Sequence, residues 1–229
     1  MGILRSGTRL RLVPLVPEIR LRQADEPIVL WETTEQAAGQ AGQAVDQAAG
    51  HAALEPPFWA FAWAGGQALA RYLLDHREAA RGQTVIDVAS GSGLVAIAAA
   101  MAGAADVTAY DVDPLAAAAI GVNAAANGVT VRAVCADVLD DDALPAPGTG
   151  LVLAADAFYQ RELAGRVLGF LDRGRARGAA VLAGDLGRAY LPRDRLTPLA
   201  SYDVPGLRAL EDTDVKRTTI WTLAAPRPA

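Results

Sequence analysis

Hydrophobic and polar positions follow two different periods along this chain, and each change of period predicts a change of secondary structure. Short apolar runs rich in β-branched residues predict buried parallel strands at Thr84–Val88, Asp106–Tyr110, Thr130–Cys135, Gly150–Ala155 and Ala179–Ala183. Segments with apolar residues three and four positions apart predict helices at Gly65–Arg81, Gly93–Met101, Pro114–Asn127 and Glu162–Arg173. This repeated order of strand and helix predicts an α/β protein with helices on both faces of a sheet.

Two runs near the C-terminus predict a different strand arrangement. Ala200–Val204 and Arg217–Leu223 are too close in sequence for a crossover helix, so they should form an antiparallel hairpin. Together with five parallel strands they make a Rossmann-like, mostly parallel seven-stranded sheet with a C-terminal antiparallel hairpin. In such a sheet the ligand binds at the carboxyl ends of the strands.

Residues 1–57 are predicted to form an N-terminal extension to a domain that covers residues 58–229. Arg9–Val16 and Glu18–Arg22 alternate loosely between apolar and polar residues, as short strands do. Thr34–Ala53 is rich in alanine, glutamine and glycine and has no large apolar anchors, which predicts a weak helix. It is either a surface insertion or a lid over a ligand site.

Composition narrows the possible chemistry. The formal net charge of -5 over 229 residues gives no support to a nucleic-acid partner. Cys135 is the only cysteine and there are two histidines, so we expect neither a disulfide nor a metal site. The start of the chain lacks the apolar core of a signal peptide, and Leu94–Ala105 is too short to span a bilayer. These features predict a cytoplasmic protein without a membrane partner.

The segment VIDVASGSG, residues 85–93, is the most informative about function. Glycines let the backbone approach a ligand closely, and an acid at the strand end can accept hydrogen bonds from loop amides or a cationic group. The pattern resembles the class I methyltransferase fingerprint, with Ala89 in place of the first glycine. Because alanine has a Cβ, we expect a negative φ there. The predicted S-adenosylmethionine-binding loop comprises Asp87, Ala89, Ser90, Gly91 and Gly93.

The same letters also fit a nicotinamide-binding pattern. Gly91 to Ala96 reads G-x-G-x-x-A, and Asp111 lies 20 residues after Gly91. In a dehydrogenase, however, Asp87 would be a buried, unpaired carboxylate inside the first strand, which is costly. The methyl donor also accounts better for the acids at the later strand ends.

Those acids follow the second and third predicted strands. Asp111 is expected to bind both ribose hydroxyls, with Val112 beside it, while Asp113 precedes a proline and is expected to cap the next helix. Asp137 is expected to accept a hydrogen bond from the adenine amine, with an amide of Val138 nearby. The alternative for Asp137 is a loop cap.

Two aromatic-containing segments are predicted to complete the site. Asp156-Ala-Phe-Tyr159 follows the fourth strand, whose end faces the reacting methyl group in such folds. A lysine amine must lose its proton before it attacks. Asp156 would orient that amine and contact the cofactor, and Tyr159 would pack on it or accept a hydrogen bond; the alternative is a helix cap with a core aromatic. Trp63, in the aromatic-rich segment from Phe58, would either wall the cofactor through cation–π contact or pack on the sheet.

These motifs together resemble the family of lysine methyltransferases of the electron transfer flavoprotein beta subunit. The likeness extends over nearly the whole chain and includes Val16–Arg22, Pro56–Asp75, DVASGSG, YDVDP, DAFY and GDLGR. The resemblance implies S-adenosylmethionine as donor, no metal, and target lysines on the beta subunit near where partner dehydrogenases dock. It also implies that Asp156 and Tyr159 are substrate-site residues.

Two other functions stay open from the sequence. A methyltransferase of a ribosomal protein or of a small amine such as a pyridine would use the same donor site. A non-catalytic methyltransferase-like module would bind cofactor or partner without turnover. Against the second stand five intact site residues: Asp87, Gly91, Gly93, Asp111 and Asp156. The sequence gives no indication of oligomeric state.

Overall fold

The computed structural model describes residues 7–24, 57–205 and 215–224, so the predicted segment Thr34–Ala53 lies outside the described residues. The strands are β1 (Thr8–Val13), β2 (Val16–Ala24), β3 (Thr84–Val88), β4 (Asp106–Asp111), β5 (Arg132–Cys135), β6 (Leu151–Ala155), β7 (Ala180–Asp185), β8 (Leu196–Pro205) and β9 (Val215–Leu223). The helices are α1 (Ala64–Asp75), α2 (Leu94–Met101), α3 (Pro114–Ala126) and α4 (Arg161–Ala176). None of these helices is long and apolar enough to cross a membrane.

Seven of the strands form one sheet in the order β5-β4-β3-β6-β7-β9-β8. Strands β3 to β7 run parallel to one another, whereas β9 runs antiparallel to both β7 and β8. The predicted α/β sheet with its C-terminal antiparallel hairpin is therefore confirmed. The strand order reverses between β3 and β6, and a crevice at their carboxyl ends is where an open α/β sheet binds its ligand.

The remaining strands, β1 and β2, pair antiparallel as a separate two-stranded sheet. Val16, Ile19 and Leu21 of β2 are fully buried in the hydrophobic core that includes α1 and α2. This burial fixes the hairpin against the larger sheet because exposed apolar side chains would be less stable in water. The division of the chain at residue 57 stays a prediction.

Several predicted boundaries differ from the structure, and two of the differences affect the candidate site. The helix predicted over Gly65–Arg81 begins at Ala64 and ends at Asp75, and a short 3-10 turn at Arg77–Ala79 follows it. The fifth parallel strand extends two residues further than predicted, to Asp185, because Gly184 and Asp185 pair with β9. The final strand residues therefore place an aspartate at the sheet edge that carries the candidate site.

Candidate active site

A cavity of about 670 Å³ opens at the carboxyl ends of β3, β4 and β6. Its volume lies in the range of small-molecule sites. The predicted site residues that line it are Trp63, Asp87, Ala89, Ser90, Gly91, Asp111, Val112, Asp137, Val138, Asp156 and Tyr159. Gly93 does not line the cavity. It lies behind the loop, where an added Cβ would meet Ile120 of α3 at 3.2 Å.

The loop between β3 and α2 adopts left-handed backbone conformations at three positions. The φ angles are 52° at Ala89, 54° at Gly91 and 81° at Gly93. The expected negative φ at Ala89 was therefore wrong. The turn is fixed on its two sides by hydrogen bonds of Ser90, whose amide donates to the Tyr110 carbonyl at 3.1 Å and whose hydroxyl donates to a carboxylate at 2.5 Å. These bonds hold Ala89 in a conformation that alanine disfavours.

The acceptor of the Ser90 hydroxyl is Asp87, the last-but-one residue of β3 and only 1% exposed. Burial, with a smaller contribution from the nearby Asp111 carboxylate, raises the pKa of Asp87 to about 7, while the hydrogen bond from Ser90 opposes the shift. A cationic ligand group beside it would therefore favour its ionised form. The Asp87 side chain is chemically suited to hold such a group.

Asp111 ends β4 and fastens the glycine-rich loop to the next turn. Its Oδ2 accepts a hydrogen bond from the Gly91 amide at 2.8 Å, and its Oδ1 accepts one from the Asp113 amide at 3.0 Å. Burial raises the pKa of Asp111, although these amides oppose the effect. Asp113 accepts a bond from the Leu115 amide at 2.7 Å with proline at the first helical position, so the predicted helix cap is confirmed.

Asp137 carries two interactions after β5. Its Oδ1 accepts a hydrogen bond from the Leu139 amide at 3.3 Å, as the loop-cap alternative predicted. Its Oδ2 pairs with Arg166 of α4 at 2.8 Å, and Arg166 also pairs with Asp140 at 2.6 Å. Arg166 could not be predicted as a partner of Asp137, because it lies 29 residues away on another element. Asp137 and Arg166 both line the cavity.

The Asp156 carboxylate caps a helix, but not the one that follows it in sequence. Gln160 precedes α4, whereas the Asp156 oxygens accept hydrogen bonds from the amides of Gly65 at 3.1 Å and Gly66 at 2.7 Å in the first turn of α1. The N-cap residue of α1 is Trp63, which makes no side-chain cap bond. A carboxylate some ninety positions later therefore satisfies these amides and complements the positive end of the helix.

Arg188 joins Asp156 to the end of β7. Its Nη1 lies 2.6 Å from Asp156 Oδ1 and 3.1 Å from Asp185 Oδ2. Asp185 is completely buried, and its Oδ1 accepts hydrogen bonds from the amides of Gly187 and Arg188. Burial raises the pKa of Asp156, while the Arg188 guanidinium opposes that effect. The pairing of Arg188 with Asp156 was not predicted from the sequence.

The aromatic residues form one wall of the cavity. Phe58, Trp59, Phe61 and Trp63 all line it, and the Trp63 indole donates to the Phe58 carbonyl at 2.9 Å. Trp59 and Phe61 are also buried against α3, so the aromatic segment packs on this helix and not, as one alternative predicted, on the seven-stranded sheet. Tyr159 lies at the rim, 40% exposed, with its ring 5.6 Å from that of Phe58.

Comparisons with known proteins identify relatives of this chain. The family model for ribosomal protein L11 methyltransferase (PrmA) matches residues 67–152. The electron transfer flavoprotein beta subunit lysine methyltransferase of Xenopus laevis is 34% identical over 218 residues, 91% of this chain and 80% of that protein. Its counterpart from Rattus norvegicus is 36% identical over 171 residues, 72% of this chain and 66% of that protein.

Among solved structures, Thermoplasma acidophilum 1320 aligns with a TM-score of 0.50 at 20% identity. The alignment covers 67% of this chain and 86% of that one. At this identity the likeness supports the fold and nothing about substrate.

Proposed function

The chain belongs to the family of electron transfer flavoprotein beta subunit lysine methyltransferases, and on that premise we propose that it methylates lysine side chains of the beta subunit. It is an enzyme of the methyltransferase class. The observation that carries the proposal is the single cavity in which the strand-end acids, the glycine-rich loop and the Asp156–Tyr159 segment meet. The proposed donor is S-adenosylmethionine.

The cavity offers groups that match the polar parts of this donor. Asp111 would bind the ribose hydroxyls, with Val112 beside it, and Asp137 with Val138 would contact the adenine. The Asp111 carboxylate already accepts two amide hydrogen bonds, so its oxygens are held in place before the hydroxyls bind. The Arg166 pair similarly fixes the Asp137 carboxylate.

The amino-acid end of the donor would lie on the glycine-rich loop. Ala89, Ser90 and Gly91 line the cavity there, and Gly91 has a φ of 54°, a backbone conformation at which a side chain would be strained. Asp87 would face the cationic part of the donor. We propose an indirect role for Gly93, which lets the loop pack against α3.

The acceptor side is formed by Trp63, Asp156 and Tyr159. When bound, S-adenosylmethionine would supply a methyl group on a positively charged sulfur. A neutral lysine amine would accept that methyl group through its lone pair, and the electron pair of the carbon–sulfur bond would remain on sulfur. Asp156 would hold the amine through one N–H, and the Tyr159 ring would pack on the lysine stem. The aromatic face of Trp63 would favour the cationic sulfur.

The family model for ribosomal protein L11 methyltransferase does not redirect this proposal. Its match ends at Val152 within β6, ahead of Asp156 and Tyr159. It therefore bears on the donor side of the cavity, which methyltransferases of different substrates share. The relatives that align over most of the chain are lysine methyltransferases, so the small-amine and non-catalytic alternatives are not favoured.

We also propose that residues 58–229 make up the methyltransferase domain and residues 1–57 its extension. A protein partner rather than nucleic acid is supported by the net charge of -5. A cytoplasmic location stays a prediction.

The proposal is tested by incubating the purified protein with S-adenosylmethionine and either the αβ flavoprotein or isolated β, and then measuring intact masses. We expect successive single-methyl increments on β, and their loss with Asp156→Asn. Calorimetry with S-adenosylhomocysteine separates the two parts of the proposal. Binding without methylation of β would reject the substrate, whereas no binding would reject the donor site.

A further inference from the structure

Arg188 is the cation between two buried carboxylates at the edge of the cavity. Asp185 is fully buried, while the side chains of Asp156 and Arg188 are 12% and 18% exposed. Asp185 is already satisfied on one oxygen by two backbone amides of its own turn. The turn after β7 therefore does not need the bond to Asp156 for its own closure. That bond instead connects the turn to the proposed acceptor site.

The hydrogen bonds of Asp156 leave it one acceptor position. A carboxylate offers about four lone-pair positions. On Oδ1 two are filled, by the Gly65 amide and Arg188 Nη1, and on Oδ2 one is filled, by the Gly66 amide. The remaining position, on Oδ2, can take one N–H of an incoming amine. A neutral amine held in this way keeps its lone pair free.

An uncompensated carboxylate at this position would work against the reaction. A carboxylate in a poorly solvated site stabilises the ammonium form of a lysine, and that form has no lone pair with which to attack. A carboxylate without a cation partner would also tend to become protonated because of its burial. A fixed guanidinium opposes both effects at once.

We infer that Arg188 is a positioning residue for methyl transfer: by bridging Asp156 and Asp185 it keeps Asp156 ionised and in place, and it offsets enough negative charge for the acceptor amine to enter unprotonated. This inference rests on the proposed function, since it assigns the amine to Asp156. After attack, the extra proton on the methylated nitrogen leaves to solvent.

Other charged and titratable groups near Asp156 also influence the pH at which it titrates. From β7 it faces Asp185, and α1 presents only the backbone amides of Gly65 and Gly66. Arg193 approaches the same turn through the Gly187 carbonyl at 3.2 Å. In the cavity itself, Asp87 and Asp111 lie on β3 and β4, Tyr159 on the loop after β6, and Glu162 and Arg166 on α4.

The test compares Arg188→Met, Arg188→Lys and a control, Arg195→Met, which removes an exposed ion pair with Asp172. The first measurement needs no substrate: carboxyl carbon NMR follows the titration of Asp156 in the ligand-free protein, assigned with Asp156→Asn. We expect Asp156 to titrate at higher pH in Arg188→Met than in the wild type. Arg188→Lys should stay near the wild type, and Arg195→Met should not differ from it.

The second measurement is the pH dependence of kcat and KM on the beta subunit. Arg188→Met should lower kcat at neutral pH by about tenfold or more, because the rising limb of the kcat–pH profile moves to higher pH by about one pH unit. The value of kcat should recover as the pH is raised. KM for the protein should change by less than about threefold, since the side chain contacts Asp156 rather than the docking partner.

A further variant, expected to shift the Asp156 titration in the opposite direction, distinguishes the inference from a simple effect of misfolding. Asp185→Asn removes the second carboxylate, leaves Arg188 to Asp156 alone, and should move both the NMR titration and the kcat limb to lower pH. An unchanged Asp156 titration in Arg188→Met, or a kcat loss that is equal at every pH, would overturn the inference. A wild type that does not methylate β would reject the proposed substrate, while the NMR titration would still decide whether Arg188 controls Asp156.

Discussion

At the residue scale, the site is governed by carboxylates that the fold buries before any ligand binds. Asp87, Asp111 and Asp156 each have a pKa raised by burial. Each is also held by at least one hydrogen bond from the loop or helix next to it. Burying such groups away from water lowers the stability of the folded protein, and buried carboxylates of this kind are common at functional sites.

The burial of Asp87 should make the free energy of unfolding depend on pH. Its pKa is about 7 in the folded protein and close to the usual 3.8 when unfolded, so unfolding releases a proton between these values. The free energy of unfolding should therefore fall as pH rises from about 4 to about 7, by a few kcal/mol, and level off above that. Asp87→Asn should remove this component. Urea denaturation at several pH values measures the difference between the two proteins, and a constant difference across this range would contradict the assignment.

Ala89 should be replaceable by glycine with a gain in stability. Its φ of 52° costs an L-residue about 1–2 kcal/mol, while glycine loses about 0.4–1 kcal/mol through the unfolded chain. Ala89→Gly should therefore raise the free energy of unfolding by up to about 1 kcal/mol. The matched control Ala96→Gly, buried inside α2, should lower it by about 1 kcal/mol or more. Equal losses from both changes would show that the loop does not strain Ala89.

At the element scale, the contact between the first turn of α1 and the end of β7 sets the position of Asp156. A Cβ added at Gly65 would overlap the Gly184 carbonyl oxygen and the Asp156 carboxylate, and one added at Gly184 would overlap the Gly65 carbonyl. Two glycines therefore face each other so that the helix end can reach the sheet edge. The Gly-Gly pair at the start of α1 is the feature of the sequence that corresponds to this close contact.

Gly65→Ala should consequently be severe although it improves helix propensity. We expect a loss of more than about 2 kcal/mol, because backbone atoms on both sides cannot move independently. Gly121→Ala, in α3 with nothing within 4 Å of an added Cβ, is the matched control and should raise stability by up to about 1 kcal/mol. Thermal denaturation compares the two variants. A tolerated Gly65→Ala would mean that α1 and β7 are less closely packed.

Also at this scale, the sequence predicted elements better than contacts between them. The apolar runs and their helical or strand periods were sufficient for the sheet, because burial on both faces imposes those patterns. The pairings of Arg166 with Asp137 and of Arg188 with Asp156 left no local pattern, since their partners are 29 and 32 residues apart. The φ of Ala89 could not be predicted because surrounding hydrogen bonds override its intrinsic preference.

At the scale of the whole molecule, Asn123 of α3 connects the β1–β2 hairpin to the glycine-rich loop that lines the cavity. The fully buried Asn123 side chain accepts a hydrogen bond from the Arg22 amide at 2.8 Å and donates one to the Ser92 carbonyl at 2.8 Å. One residue thus connects the hairpin, a helix and the glycine-rich loop. The N-terminal hairpin supports the loop without contributing to the cavity wall.

Asn123→Ala should weaken both stability and donor binding. It leaves the part-buried Arg22 amide and the buried Ser92 carbonyl unpaired, which costs about 1–3 kcal/mol for each group that water cannot reach. Urea denaturation should show the loss of stability, and calorimetry with S-adenosylhomocysteine should show weaker binding. Asn127→Ala is the control, since Asn127 holds the hairpin through more exposed bonds to Arg20 and does not contact the loop. Its donor affinity should match the wild type, and equal weakening in both variants would argue against transmission through Ser92.

We propose that this cavity transfers a methyl group to a lysine side chain of a protein. The most direct measurement supplies S-adenosylmethionine with a trideuterated methyl group to the enzyme and the beta subunit, and locates the label by tandem mass spectrometry. We expect the label on lysine nitrogens of the beta subunit, and its loss with Asp156→Asn. Label on another residue type, or lysine labelling at the wild-type rate by Asp156→Asn, would contradict it.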